Sequence, residues 1–366
     1  MLVLDCEVYA DYFLIMFKNI ENGRYCSLEM FEGQELHRSR VIQLMKENMT
    51  ISFNGFGYDI HIITAALEGW SCGDLKRFSD EIIKSNLPGW QVAKNNRLRL
   101  AHHWDHIDVI DVAPGKAGLK IYGGRMGTKK LQDLPIAPED SISPEQRVEL
   151  RRYCKNDLDT TEALYRQLEP AIKLREQIGA QYGGIDLRSK SDAQIAEAVI
   201  KYRLHEYTGR TYKPRKVAVG HECRYEDPKI VSFQSEELQK VFHKILKTGF
   251  PVGSNGAVTM PEWLQKTKIR IGQTDYQMGI GGLHSCEKRQ SVVAQDNQIL
   301  ADFDVASYYP SIILKLKLSP QSMGNDFLRI YQDIVTERLQ AKARVAQLKL
   351  EIAKLEKMLD EDFVKE

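Results

Sequence analysis

The chain opens on an apolar run broken by two carboxylates, Leu2-Val3-Leu4-Asp5-Cys6-Glu7-Val8. A strand repeats every two residues, so Asp5 and Glu7 share one face while Cys6 points the other way, into the core. Two carboxylates side by side in such a run are costly unless a cation neutralises them. An exposed strand face is the alternative for this pair alone, and the apolar residues on both sides argue against it.

Beyond this run the chain alternates strands with helices, the pattern of an α/β core. Residues 1–31 read as a strand pair or meander, with Tyr12 to Phe17 as a second buried run and a turn at Asn22-Gly23. Arg38 to Met45 reads as a helix, Met49 to Phe53 as a buried strand ending at Asn54-Gly55, and Ile60 to Leu67 as a helix leaving it. His106 to Val112 is a further strand candidate. The stretch from Gly115 to Gly127 holds five glycines and three basic residues and reads as a loop. Ser143 and Pro144 predict a capped helix start, running to about Leu168. Further on, the sequence predicts a helix near Asp192–His205, a turn cluster at Gly279 to His284 and a strand over Ile299 to Val305. One or two long helices are expected from Asp326 to Lys365, with Val345, Leu348, Ile352, Leu355 and Leu359 at 3-4 spacing.

Two further carboxylates fall at element ends. Asp59 comes after Asn54-Gly55-Phe56-Gly57-Tyr58, where a buried strand gives way to a helix. A helix-dipole cap is the other reading of Asp59. Tyr153 and Asp157 lie four apart on a helix and share a face; a surface Tyr–Asp pair is the other reading.

Taken together and in this order, the three pieces resemble the four-carboxylate 3′→5′ exonucleases of the ribonuclease H-like superfamily, above all the proofreading domains of family B DNA polymerases. Asp5-x-Glu7 resembles the first motif, Asn54-x-x-x-Tyr58-Asp59 the second and Tyr153-x-x-x-Asp157 the third, in its tyrosine subtype. The resemblance implies that Asp5, Glu7, Asp59 and Asp157 hold two divalent ions, Mg²⁺ or Mn²⁺. It implies that Tyr153 orients the attacking water and that Asn54 and Tyr58 touch a single-stranded 3′ end. Hydrolysis needs an activated water and relief of charge on the leaving oxygen, and two ions about 3.5–4 Å apart meet both needs; hard ions of this kind take carboxylate oxygens. Lys129 and Lys130 stand where related domains place a basic residue for the scissile phosphate, although a solvated lysine pair fits as well. The His102-His103-x-x-His106 cluster offers a weak zinc reading, since strand geometry splits the three between faces.

Asp304-Val305-Ala306-Ser307-Tyr308-Tyr309-Pro310-Ser311 resembles the first palm motif of family B polymerases, Asp-x-x-Ser-Leu-Tyr-Pro-Ser, departing from it at Tyr308. By that resemblance Asp304 and Val305 hold the catalytic metals of synthesis, while Ser307, Tyr308 and Tyr309 meet the incoming nucleotide. Gly281 and Gly282 lie where such enzymes carry a glycine-rich template contact; an ordinary loop is the alternative. Tyr207, Arg210, Tyr212, Lys213, Arg215 and Lys216 mix aromatic and basic side chains as single-strand contacts do.

The expected architecture is therefore an α/β exonuclease domain over 1–185, with a mixed sheet flanked by helices. A connecting region spans 186–290, an incomplete α+β palm 291–325 and a first fingers-like helix 326–366. The later Lys-x-x-x-Asn-x-x-Tyr-Gly and Asp-Thr-Asp motifs of such a polymerase do not occur after Asp304. The expectation is an exonuclease joined to the opening part of a phage- or virus-like replicative DNA polymerase that does not synthesise DNA alone. Its partners are DNA, as a single-stranded 3′ end or primer–template, and a separate C-terminal polymerase chain. A stand-alone exonuclease with a DNA-gripping second half, and a non-catalytic DNA- or partner-binding remnant, are the competing readings. The net charge of +1 offers no global attraction to nucleic acid, so contact would rest on local patches. Six cysteines without a C-x-x-C pair argue against a zinc knuckle or disulfide framework and fit a reducing cytoplasm. No apolar run reaches the ~18 residues of a membrane helix, and no signal peptide opens the chain.

Overall fold

The computed structural model describes residues 1–363 apart from 86, 100–103, 214–216 and 254–255, with backbone alone for 359–363. His102, His103, Arg215, Lys216 and the side chain of Leu359 lie outside the described residues. The chain divides into two compact units, Met1–Tyr202 and Arg203–Glu366.

The first unit runs β1 (Leu2–Val8), β2 (Tyr12–Asn19), β3 (Tyr25–Phe31), α1 (Arg38–Glu47), β4 (Thr50–Ser52), α2 (Asp59–Leu67), α3 (Cys72–Lys84), α4 (Gly89–Asn95), β5 (His106–Asp108), α5 (Leu119–Met126) and α6 (Pro144–Gln181). The boundary between the units falls inside α7 (Asp192–Thr208). Five strands form one mixed sheet in the order β3-β2-β1-β4-β5. β1, β2 and β3 make an antiparallel meander, whereas β4 pairs parallel with both β1 and β5.

Helices cover the sheet on both faces. Val3, Leu14 and Met16 pack with Leu150, Cys154 and Leu158 of α6 and Tyr122 of α5. Leu2, Leu4, Cys6, Phe13 and Ile15 pack with Val41 and Met45 of α1, Ile62 and Ile63 of α2, and Phe78 of α3. β1 thus divides its odd and even residues between two cores, which is what a period of two requires of a central strand.

α6 starts as expected, with Ser143 and Gln146 exchanging hydrogen bonds in a capping box and Pro144 in the first turn. It runs well past the expected end near Leu168, through Pro170 to Gln181. Proline removes one backbone hydrogen bond, but burial continues on its far side at Ile172, Arg175 and Gly179. Arg175 binds the Lys190 and Ala171 carbonyls and the Asp192 carboxylate, holding the last turns in place.

Residues 115–127 are not one loop, because Leu119–Met126 forms α5. Gly123 faces α6: a Cβ there would lie 3.0–3.2 Å from Thr128, Thr160 and Leu131. Gly127 ends the helix in the left-handed conformation at φ 67°. One glycine therefore serves close packing and another serves a cap, and together they resemble loop composition.

The second unit holds β6 (Glu222–Arg224), α8 (Glu236–Lys247), β7 (Gly249–Pro251), α9 (Glu262–Lys266), β8 (Lys268–Ile271), β9 (Thr274–Gly279), β10 (Gly282–Ser285), α10 (Tyr308–Lys315) and α11 (Gly324–Phe363). β6 pairs with β7, and β8, β9 and β10 form an antiparallel meander whose last turn contains the expected glycine cluster. An apolar cavity of about 480 Å³ lies in this unit, lined in part by Val241, Phe242 and Ile245 of α8 and Ile269 of β8. Residues 299–305 do not form the expected strand, and Ile299 and Phe303 are more than nine-tenths exposed. A strand is held by its neighbours, and no described strand pairs with this segment. α11 is the single long helix among those expected for the tail, and its Val345, Leu348, Ile352 and Leu355 are exposed. Among the described residues, no helix is long and apolar enough to cross a membrane.

His106 is buried in β5, bonded by Nδ1 to the Thr50 hydroxyl at 2.8 Å and by Nε2 to the Ser52 hydroxyl at 2.9 Å. Burial lowers its pKa to about 4, so the folded ring stays neutral while the unfolded one gains a proton below about pH 6.5. Stability contributed by the neutral ring is then present above pH 6.5 and is lost as pH falls from 6.5 towards 4, by about 3 kcal/mol at most. Urea unfolding of the native chain and of His106→Gln across that window should show a steeper acid loss for the native chain. Equal slopes would place the acid sensitivity elsewhere.

Candidate functional site

Three elements bring the carboxylates together. β1 carries Asp5 and Glu7, the first residue of α2 is Asp59, and the middle of α6 carries Tyr153 and Asp157. The β1 backbone holds Asp59, whose Oδ1 accepts from Cys6 N at 3.2 Å and from Cys6 Sγ at 3.0 Å. Cys6 therefore does point away from Asp5 and Glu7, and its thiol braces the carboxylate of the next element. Tyr153 is buried, and burial together with the nearby charges of Asp157, Glu7 and Asp5 raises the pKa of its phenol.

The four anions sense one another. Burial first, then the charges of Asp59, Glu7 and Asp157, push Asp5 well above the usual carboxylate range. Burial, Asp157 and Asp59 push Glu7 up to about 8. Asp59 rises to about 6, chiefly through burial. Burial also raises Asp157, against the opposing charge of Lys120. No arginine lies among these causes and one lysine does: Lys120 of α5, which favours the charged forms of both Glu7 and Asp157. Its ammonium stands 5.8 Å from the Tyr153 ring centroid and 3.0 Å from Asp133 Oδ1. Lys120 is not visible as a site residue from sequence, because its glycine-rich helix has the composition of a loop. Lys129 and Lys130 line a cleft with Lys18, Thr128, Asn156 and Asp159.

The segment leading to Asp59 is held by a residue that the sequence places only in a strand. Asp108 is buried at the end of β5 and accepts from Asn54 N at 2.8 Å, Phe56 N at 2.9 Å and Ile110 N at 3.1 Å. Asn54 takes the left-handed conformation at φ 67°. Its side chain covers Gly57, where a Cβ would fall 2.3 Å from Asn54 Oδ1, so a larger residue there would displace the Asn54 side chain. Tyr58 turns inward, its hydroxyl 2.6 Å from Ser79 Oγ, and Phe56 is the exposed aromatic ring of this turn. A signal for Asp108 did exist: it is a carboxylate inside an apolar, strand-like stretch, as Asp5 is.

The second group of expected site residues belongs to the second unit. Asp304 and Val305 are exposed. Ser307 sits at φ 53° just before α10, and its hydroxyl accepts from Arg338 Nη1 at 3.0 Å. The Tyr308 and Tyr309 rings lie 5.6 Å apart. Tyr309 donates to the Gly281 carbonyl at 2.8 Å, and Gly282 comes next at φ 146°. The structure thus joins Tyr309 to the glycine turn.

Buried like charges carry a stability cost with a definite sign. A Glu7 raised from 4.5 to about 8 holds its proton in the folded chain more tightly than in the unfolded one. The stability this lends is full below pH 4.5 and is lost as pH rises through 8. Without divalent ions, Glu7→Gln should therefore melt a few degrees above the native chain at pH 8.5, equivalent to about 1–2 kcal/mol for a unit of this size, and close to it at pH 4.5. A melting point unchanged or lowered at pH 8.5 would contradict the strain. No protein-family model matches the sequence, and no curated protein matches it.

Proposed function

We propose that the first unit is a metal-dependent 3′→5′ exonuclease acting on single-stranded DNA ends, and that the second unit is the opening part of a family B DNA polymerase domain. The observation that carries the nuclease reading is the mutual repulsion of Asp5, Glu7, Asp59 and Asp157, which come from three separate elements. Structural carboxylates are normally paired with cations or backbone amides. Here Asp59 is buried and takes one amide, while Asp5, Glu7 and Asp157 are half-buried with Lys120 as the cation acting on Glu7 and Asp157, which suits hard divalent cations.

Asp5, Glu7, Asp59 and Asp157 would hold such ions. Bound Mg²⁺ or Mn²⁺ would supply an activated water and neutralise charge on the departing 3′ oxygen. The chain's own groups do the rest. Tyr153, one turn before Asp157 on α6, presents a hydroxyl beside the cluster to orient a water. Lys120 offers positive charge towards Glu7 and Asp157, where a scissile phosphate would otherwise meet repulsion. Asp108 fixes the 54–58 turn, keeping Asn54 and Phe56 at the approach to Asp59. For the second unit, support comes from the Asp304–Ser311 motif and from the hydrogen bond joining Tyr309 to Gly281.

Asp5→Ala should cut Mg²⁺-dependent shortening of a 3′ single strand at least ~10²-fold, the scale of losing one preorganised electrostatic group, with circular dichroism unchanged. A purified, folded variant that retained the native rate would reject the assignment. Calorimetry with Mg²⁺ separates the remnant reading, since a purely partner-binding chain takes up no ion at these residues.

A further inference from the structure

The donors around β1 are not all oxygen. Cys154 comes directly after Tyr153 on α6, is completely buried, and places its Sγ 3.7 Å from Asp5 Oδ2. One ligand atom each from Asp5, Glu7 and Cys154 lies within 4.8 Å of the other two. Among the described residues this is the one group of three or more His, Cys, Asp and Glu side chains with such spacing. Zinc-like ions sit about 2.3 Å from sulfur and 2.0–2.2 Å from carboxylate oxygen, which at a tetrahedral angle separates the two donors by about 3.6 Å. The Cys154–Asp5 pair already stands at that separation. Glu7 places a carboxylate oxygen within 4.8 Å of both, and its carboxylate has no hydrogen-bond partner among the described residues. Cys6 does not belong to the trio, since its thiol is on the opposite face of β1, bonded to Asp59.

We propose that Asp5, Glu7 and Cys154 form a three-ligand site for a thiophilic divalent ion of the Zn²⁺ and Cd²⁺ class, with a fourth position left open. A thiolate beside two carboxylates favours such ions over Mg²⁺, which has little affinity for sulfur. On binding, the Cys154 S–H bond breaks, an S–metal bond forms and the proton passes to solvent; no electron is transferred. Because Asp5 and Glu7 are shared, the soft ion displaces hard ions and stops hydrolysis. The binding stands on geometry alone, and the inhibition rests on the exonuclease reading.

The test is a Cd²⁺ titration of the full chain, followed by thiolate-to-cadmium ultraviolet absorption and by proton release in weak buffer. One equivalent should bind, with the absorption band and one proton released. Cys154→Ser should abolish the band and weaken Cd²⁺ binding at least tenfold, whereas Cys6→Ser should keep the band. No band in the native chain, or a band that persists in Cys154→Ser, would overturn the site. Should Cys154→Ser fail to fold, Asp5→Asn and Glu7→Gln keep the thiol: each should weaken Cd²⁺ at least tenfold, and unchanged affinity in both would overturn the proposal. A native chain with the Cys154-dependent band but no Mg²⁺-dependent hydrolysis would defeat the exonuclease reading and leave the ion site standing. Hydrolysis without the band would do the reverse.

Discussion

Repulsion between crowded, half-buried to buried carboxylates is the constraint on which the first unit depends. A central strand at the heart of a sheet is an expensive place for two negative charges. A third on α2 and a fourth on α6 raise the cost further, and each pushes its neighbours towards protonation. The surrounding structure serves to hold them there. Cys6 clamps Asp59 to β1 through its amide and its thiol. Local strain of this kind survives only where the remainder of the fold over-determines it.

The over-determination comes from the way β1 is shared. Its even residues anchor the core beneath α1, α2 and α3, and Val3 anchors the core beneath α6. Shifting β1 by one residue would exchange the two faces and carry Asp5 and Glu7 into the core beneath α2. Seven paired positions with β2 make that shift costly. The alternation that makes a good strand therefore also fixes which face carries the charges.

Much of this was legible in the sequence. Asp5 and Glu7 could be placed on one face by period alone, and Ser143 with Pro144 marked the start of α6 within a residue. Asp59 opens α2 as expected. Other features were hidden for identifiable reasons. The α5 glycines look like loop composition, although Gly123 serves packing and Gly127 a cap, and this concealed Lys120. The expected end near Leu168 fell short because the burial that carries α6 through Pro170 to Gln181 is tertiary. Asp108 was visible as a residue but not as a brace, since its three amide partners come from loop geometry. The apolar run at 299–305 has strand composition without a strand partner, and composition alone cannot supply one.

The central claim is that Asp5, Glu7, Asp59 and Asp157 stand together to bind divalent cations. Anomalous X-ray diffraction from crystals of the chain soaked in Mn²⁺ addresses it most directly. Strong peaks are expected between β1, α2 and α6, with oxygens of Asp5 and at least one other of the four carboxylates at about 2.1 Å, the spacing of small hard cations. Crystals with Mn²⁺ bound elsewhere and no peak among these four side chains would contradict it.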